Sequence, residues 1–295
     1  MKYRIIHATT YTYEQAVISC QDEAHLIPRN SPDQRRLRYQ VEIDPKPGCL
    51  TERDDFFGNR VLYFAIDEPH ERLVVTATSE VSVEEKPALS ALYIGVSWQE
   101  GVRRLHAERS AAHLEACQYL PDSPMITITP EIRRYAAPSF RKNRPMAEVV
   151  HDLMARIHRD FTYEPGSTTV ATPLSTVLKH RRGVCQDFSH FAIACLRSRG
   201  IPARYVSGYL ETMPLPGQTK LQGADASHAW FSAYDSAFGW IDYDPTNNQL
   251  PTVRHITTAW GRDYSDVTPL KGVIYGGGKH RAEVAVDVVA LSATP

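Results

Sequence analysis

The chain has 295 residues, 42% hydrophobic and 23% charged, with a formal net charge of −1. That length suffices for one large domain or two ordinary ones with a real core. The balanced charge argues against a nucleic-acid or anionic-membrane surface, and no stretch approaches the roughly 18 apolar residues of a membrane span.

Residues 1–85 read as a β-rich N-terminal domain. Tyr3, Ile5 and His7 alternate with polar positions, as do Tyr11 and Tyr13, the run Leu37 to Ile43, and the run Leu73 to Val83. Period two predicts strands with one solvated face, hence an antiparallel sheet or sandwich. Asp55-Phe56-Phe57-Gly58-Asn59-Arg60 predicts a turn between two of them. Residues 86–144 form a connecting region, with a helix expected over Ser97 to Leu114 and with Pro121, Pro130 and Pro138 punctuating the rest.

The pattern strengthens over 145–261. Met146, Val150, Leu153, Met154, Ile157 and Phe161 recur at helical spacing, and a short helix is expected from Pro173 to His180, ended by Gly183. Cys185 opens a third helix, whose buried stripe is Phe188, Phe191, Ala192 and Cys195. Gly200 and Pro202 stop it. Strands follow at Ala203–Leu210, Ser227–Tyr234 and Gly239–Asp244, with a polar loop at 211–226 expected to shape a cleft. The tail, 262–295, carries the turn Gly276-Gly277-Gly278 and one more strand over Ala282 to Val288.

Five cysteines at irregular spacing do not form a disulfide framework, and no Cys-x-x-Cys or His-Glu-x-x-His suggests zinc. No cofactor or metal is therefore expected. His106, His113, His151 and His158 read as surface residues. The N-terminus lacks an apolar signal-peptide core, which makes a reduced, cytoplasmic protein the expectation.

Three residues carry chemistry. A cysteine at a helix start meets the positive end of the dipole and unpaired N–H groups, which favour the thiolate and can serve an oxyanion. Cys195, on the apolar stripe, reads as inert. His228 opens a strand reading His-Ala-Trp-Phe, suited to a shielded imidazole base. An acid should hold that imidazole, and Asp242 and Asp244 share a strand face, so periodicity cannot choose between them; nearness to the strand end favours Asp244.

Four segments then carry a resemblance. They are Gly183-Val184-Cys185-Gln186-Asp187-Phe188-Ser189-His190-Phe191, Ala203 through Leu210, Ala224-Asp225-Ala226-Ser227-His228-Ala229-Trp230, and Asp244-Pro245-Thr246-Asn247. In this order they resemble the bacterial transglutaminase-like superfamily, in its cysteine-protease branch. Leu26-Ile27-Pro28-Arg29 and the turn at 55–60 resemble that branch's β-rich N-terminal domain, and Gly261-Arg262-Asp263-Tyr264-Ser265-Asp266-Val267 its tail. The resemblance implies an α+β, papain-like core in which a cysteine-bearing helix packs on an antiparallel sheet. It assigns Cys185 as nucleophile, His228 as base and Asp244 as orienting acid, and implies no calcium dependence. Ser232 departs from the family, which often has an acid two positions after the tryptophan.

The expected function is cysteine-dependent acyl transfer on amide bonds through a thioester. The substrate is a peptide, protein or other amide, and hydrolysis is favoured because water is the default acceptor. Alternatives are transfer to an amine, as in a protein-glutamine transglutaminase, acyl transfer from a small thioester or arylamide, and a non-catalytic peptide-binding module.

Overall fold

The computed structural model describes residues 1–85, 95–108, 110–212 and 226–291, so most of the polar loop expected at 211–226 lies outside the described residues. Five strands occupy the first 85 residues: β1 (Lys2–Ala24), β2 (Gln34–Asp44), β3 (Cys49–Asp54), β4 (Arg60–Ile66) and β5 (His70–Val83). The alternation of Leu73, Val75, Ala77, Val81 and Val83 is seen as alternating burial along β5. Asp55–Asn59 makes the expected turn, with Gly58 at φ +72°, a left-handed conformation that favours glycine.

The single helix read over 97–114 is two, α1 (Trp98–Ala107) and α2 (Ala111–Cys117). The second starts afresh because the Ser110 hydroxyl accepts the His113 N–H, a side-chain cap that ends the continuity of the pattern. His113 is buried rather than a surface residue, with Nδ1 2.8 Å from the Glu108 carbonyl and its ring edge-on to Tyr234.

Then come α3 (Pro130–Ala136), α4 (Met146–Asp160), β6 (Thr162–Tyr163), α5 (Leu174–His180), β7 (Arg182–Gly183) and α6 (Cys185–Arg197). Arg181, not Gly183, ends α5, at φ 55°. Gly183 is required by closeness instead: a Cβ there would stand 2.6 Å from the Asp187 carboxylate.

Strands β8 (Ala203–Leu210), β9 (Ala226–Asp235), β10 (Gly239–Tyr243) and β11 (His255–Gly261) form an antiparallel sheet in the order β10-β9-β8-β11. Strand β11 has no counterpart among the strands expected from the sequence. Helix α6 lies on this sheet, its Phe188, Phe191 and Cys195 in one buried cluster with Tyr205, Phe231 and Tyr243. That cluster also takes Ile126, Ile132 and Phe140, ahead of the proline-marked start of α4.

The tail adds β12 (Leu270–Gly276) and β13 (His280–Leu291), where one strand was expected. Both return to the N-terminal sheet. The first half of β1 pairs with β5 and β13, and its second half with β4 and β12. The two sheets meet through Tyr3, Ile5, Val81 and Val286 on one side and Tyr209 and Ile256 on the other. All five cysteines are free thiols. Among the described residues no helix is long and apolar enough to cross a membrane.

Candidate active site

The start of α6 is built to present Cys185. Asp187, the third residue of the helix, turns its carboxylate back to accept the Val184 N–H at 2.8 Å and the Thr168 hydroxyl at 2.7 Å. This ties the loop before Cys185 to the helix and leaves the thiol half-buried at its first turn. The first N–H groups of a helix have no intrahelical acceptor, so a group bound beside Cys185 meets donors and the positive end of the dipole. Cys195, by contrast, is fully buried and its thiol pKa is raised by desolvation.

The fold brings His228 and Asp244 together. His228 Nε2 lies 2.8 Å from Asp244 Oδ2, with the His228 side chain 9% exposed and that of Asp244 fully buried. Cys185 lies near enough to His228 to be among the groups that raise its pKa. Because Nε2 is engaged by Asp244, Nδ1 is the nitrogen left for the sulfur. Burial alone would lower the His228 pKa, but the bond to Asp244 and the nearness of Cys185 outweigh it and raise the value to about 10. Burial would raise Asp244; bonds from His228 and His255 outweigh that and hold its carboxyl well below the usual carboxylate range.

Asp242 is elsewhere. It accepts the hydroxyl of Ser232, its register partner on β9. Ser232, the departure from the family pattern, is fully buried and thus makes a local contact of its own.

Two neighbours of the site had no role in the sequence reading. Asn247 donates its side-chain amide to Asp244 Oδ2 at 2.7 Å, and the Thr246 and Asn247 backbone N–H groups donate to Oδ1 at 3.0 and 3.2 Å. His255 Nε2 lies 3.2 Å from Oδ2. Asn247 was visible in the Asp-Pro-Thr-Asn segment. His255 gave no signal, because β11 is buried on both faces and bulges between Thr257 and Ala259, which erases a period of two.

Among the described residues, His228, Asp244 and His255 form one group close enough to hold a metal ion, their nearest ligand atoms all within 4.8 Å of one another. The ring of His255 is turned for hydrogen bonding instead. Its Nδ1 accepts the Thr252 N–H at 3.1 Å, so Nε2 carries the proton and offers no lone pair to a cation.

Comparison with known proteins agrees with this architecture. The model of the bacterial transglutaminase-like N-terminal region matches residues 3–82, and that of the transglutaminase-like superfamily matches residues 133–245. An uncharacterized protein of Mycobacterium tuberculosis is 43% identical, over 98% of this chain and 92% of its own length. A protein-glutamine gamma-glutamyltransferase of Pseudomonas aeruginosa is 31% identical, over 34% of this chain and 16% of its own length. A solved structure from Cytophaga hutchinsonii, described as a candidate cysteine protease, has the same fold, with a TM-score of 0.79 and 22% identity over 100% of this chain and 92% of that one. The chain belongs to the transglutaminase-like superfamily, with the bacterial transglutaminase-like N-terminal region ahead of its core.

Proposed function

We propose that the protein is a cysteine-dependent amide hydrolase, a peptidase or amidase, in which Cys185 is the nucleophile, His228 the base and Asp244 the orienting acid. The observation that carries this reading is the pairing of His228 with the buried Asp244 at 2.8 Å, with Cys185 near enough to add to the rise in the His228 pKa. The raised pKa of His228 favours an imidazolium at neutral pH, the charge that assists a cysteine nucleophile.

In this mechanism the Cys185 sulfur attacks the amide carbon, and the oxyanion forms near the N–H groups at the start of α6. His228 gives its proton to the leaving amine, and a thioester on Cys185 remains. His228 then takes a proton from water as water attacks the thioester, which releases the acid and restores the thiol. Asp244 stabilises the imidazolium whenever it forms and keeps its Nδ1 toward the sulfur.

A second reading is transfer of the acyl group to an amine, favoured by the match of about a third of this chain to the Pseudomonas aeruginosa gamma-glutamyltransferase. The two share each step up to the thioester. A peptide library digested with and without a millimolar primary amine, and analysed by mass spectrometry, separates them. Water, at about 55 M, wins unless a built site raises the amine's effective molarity, which can reach roughly 10⁵–10⁸ M. Free-acid products unchanged by the amine are expected; amine adducts as the main product would move the reading to transamidation. A Cys185→Ser variant with undiminished turnover would remove the mechanism altogether.

A further inference from the structure

We propose that His255 is a positioning residue of this site, a neutral imidazole that fixes the carboxylate of Asp244 toward His228. The inference rests on the reading of Cys185, His228 and Asp244 above and deepens it. His255 opens β11 and is 2% exposed. The turn before it sets its tautomer. The Thr252 N–H donates to His255 Nδ1 at 3.1 Å, while the His255 N–H donates to the Thr252 carbonyl at 3.0 Å. An Nδ1 that accepts leaves the ring's single proton on Nε2. Nε2 faces Asp244 Oδ2 at 3.2 Å. Trp230 packs edge-on against the His255 ring, 5.3 Å between centroids at 86°, and hinders its rotation.

Asp244 is thereby held from several directions. Oδ1 takes the Thr246 and Asn247 backbone N–H groups, and Oδ2 takes His228, Asn247 and His255. Among the described residues, the titratable groups seen against His255 include Asp244, from the turn after β10, and His228, whose ring centroid is 6.0 Å away on β9. A protonated His255 would set an Nδ1–H against the Thr252 N–H, so the ring stays neutral while His228 changes charge. His255 therefore supplies a donor that is constant through the catalytic cycle. Asp244 keeps its orientation whether His228 is imidazole or imidazolium. A hydrogen bond into a buried carboxylate is among the stronger ones, because the charge has no water to turn to.

Two measurements test this, and neither needs the substrate. The first is ¹⁵N-histidine NMR of the intact wild-type protein between about pH 5 and about pH 8. His255 is expected as the neutral Nε2–H tautomer across the range; an Nδ1–H tautomer or an imidazolium would overturn the proposal. The second is alkylation of Cys185 by iodoacetamide at about pH 6, well below the ordinary thiol pKa of about 8.5. His255→Phe keeps a ring against Trp230 but removes the donor, and is expected to slow labelling by about tenfold to a hundredfold. His255→Gln, which retains an N–H, should recover most of the rate. A wild-type rate and pH profile in His255→Phe would refute the role. If His255→Phe does not fold, the wild-type NMR decides. If wild-type Cys185 proves unreactive, the proposed mechanism falls, and the His255 tautomer still reports whether Asp244 is held as described.

Discussion

Asn59 and Trp260 lie 201 residues apart, yet the Asn59 side chain pairs with the backbone of Trp260 as a neighbouring strand residue would. Its Nδ2 donates to the Trp260 carbonyl at 2.8 Å and its Oδ1 accepts the Trp260 N–H at 2.9 Å. Gln34 does the same at Thr257, donating to the carbonyl at 2.7 Å and accepting the N–H at 2.8 Å. Strand β11 is the edge of the core sheet, so two amides from the N-terminal domain satisfy backbone groups that would otherwise be buried without partners. Arg29 stacks over the Trp260 ring and donates to Asn59 Oδ1. The N-terminal domain thus holds the strand that carries His255.

Asn59→Ala should therefore destabilise the whole protein and not the N-terminal domain alone. It removes both bonds and leaves the part-buried Trp260 N–H and carbonyl without that partner, at up to about 1–3 kcal/mol for each group. A loss of about 2–4 kcal/mol in urea unfolding, in one transition followed by both far-UV and tryptophan signals, is expected. Two separate transitions, with the core's unmoved, would contradict the bracing role.

Cys185 should label faster with iodoacetamide than Cys20, Cys49, Cys117 and Cys195. Cys20 and Cys195 are buried, with desolvation raising the Cys20 thiol to about 12 and Cys195 higher still. His228→Ala should abolish the labelling advantage below the ordinary thiol pKa and cut turnover by about 10²–10⁴-fold. Mass-spectrometric mapping of labelled thiols is the check, and equal labelling of exposed Cys49 at acid pH would contradict it.

Asp244→Ala and Asp242→Asn should separate two carboxylates that alternation alone cannot. The first removes the partner of His228, and its effect should not add to that of His228→Ala, because the two act as a unit. Asp242→Asn retains an acceptor for Ser232 and should leave turnover near the wild-type level. Full additivity in the double variant, or loss of activity in Asp242→Asn, would point to the wrong acid.

The pair should also mark stability against pH. His228, raised from 6.5 to about 10, contributes in full below about pH 6.5, less as pH climbs, and nothing once pH has passed about 10. Asp244, depressed from 3.8, contributes above that value and loses its share as pH falls through its lowered folded-state pKa. The difference in melting temperature between wild type and His228→Gln should thus shrink steadily from near neutral pH to about pH 10. A difference that is flat or growing over that range would mean that His228 is not held as an imidazolium.

Gly208→Ala should damage the site without touching its polar groups. A Cβ there would meet the Ile256 carbonyl at 2.1 Å and the Trp230 ring at 2.6 Å. Gly208 is the register partner of both His228 and Thr257, so relief must shift β9 or β11. Slower Cys185 alkylation together with a lowered melting temperature is the expected result, and wild-type values for both would show that the sheet yields freely.

The sequence by itself determined what is local. The helix starting at Cys185, the stripe on α4, the strand Ala203–Leu210 and the turn at 55–60 each follow from periodicity, a cap or a glycine within a dozen residues, and the superfamily followed from motifs in order. Tertiary structure decided what depends on partners distant in the chain. It set Asp244 rather than Asp242 against His228, and it brought in His255 from a strand whose burial on both faces hides its period. It also sent the tail back to β1 as two strands, the first of them, Leu270–Gly276, mostly exposed and lacking clean alternation. Hydrogen bonds across 200 residues leave no periodic trace, because each is written in single side chains such as Gln34 and Asn59, and only the folded chain shows which backbone they meet.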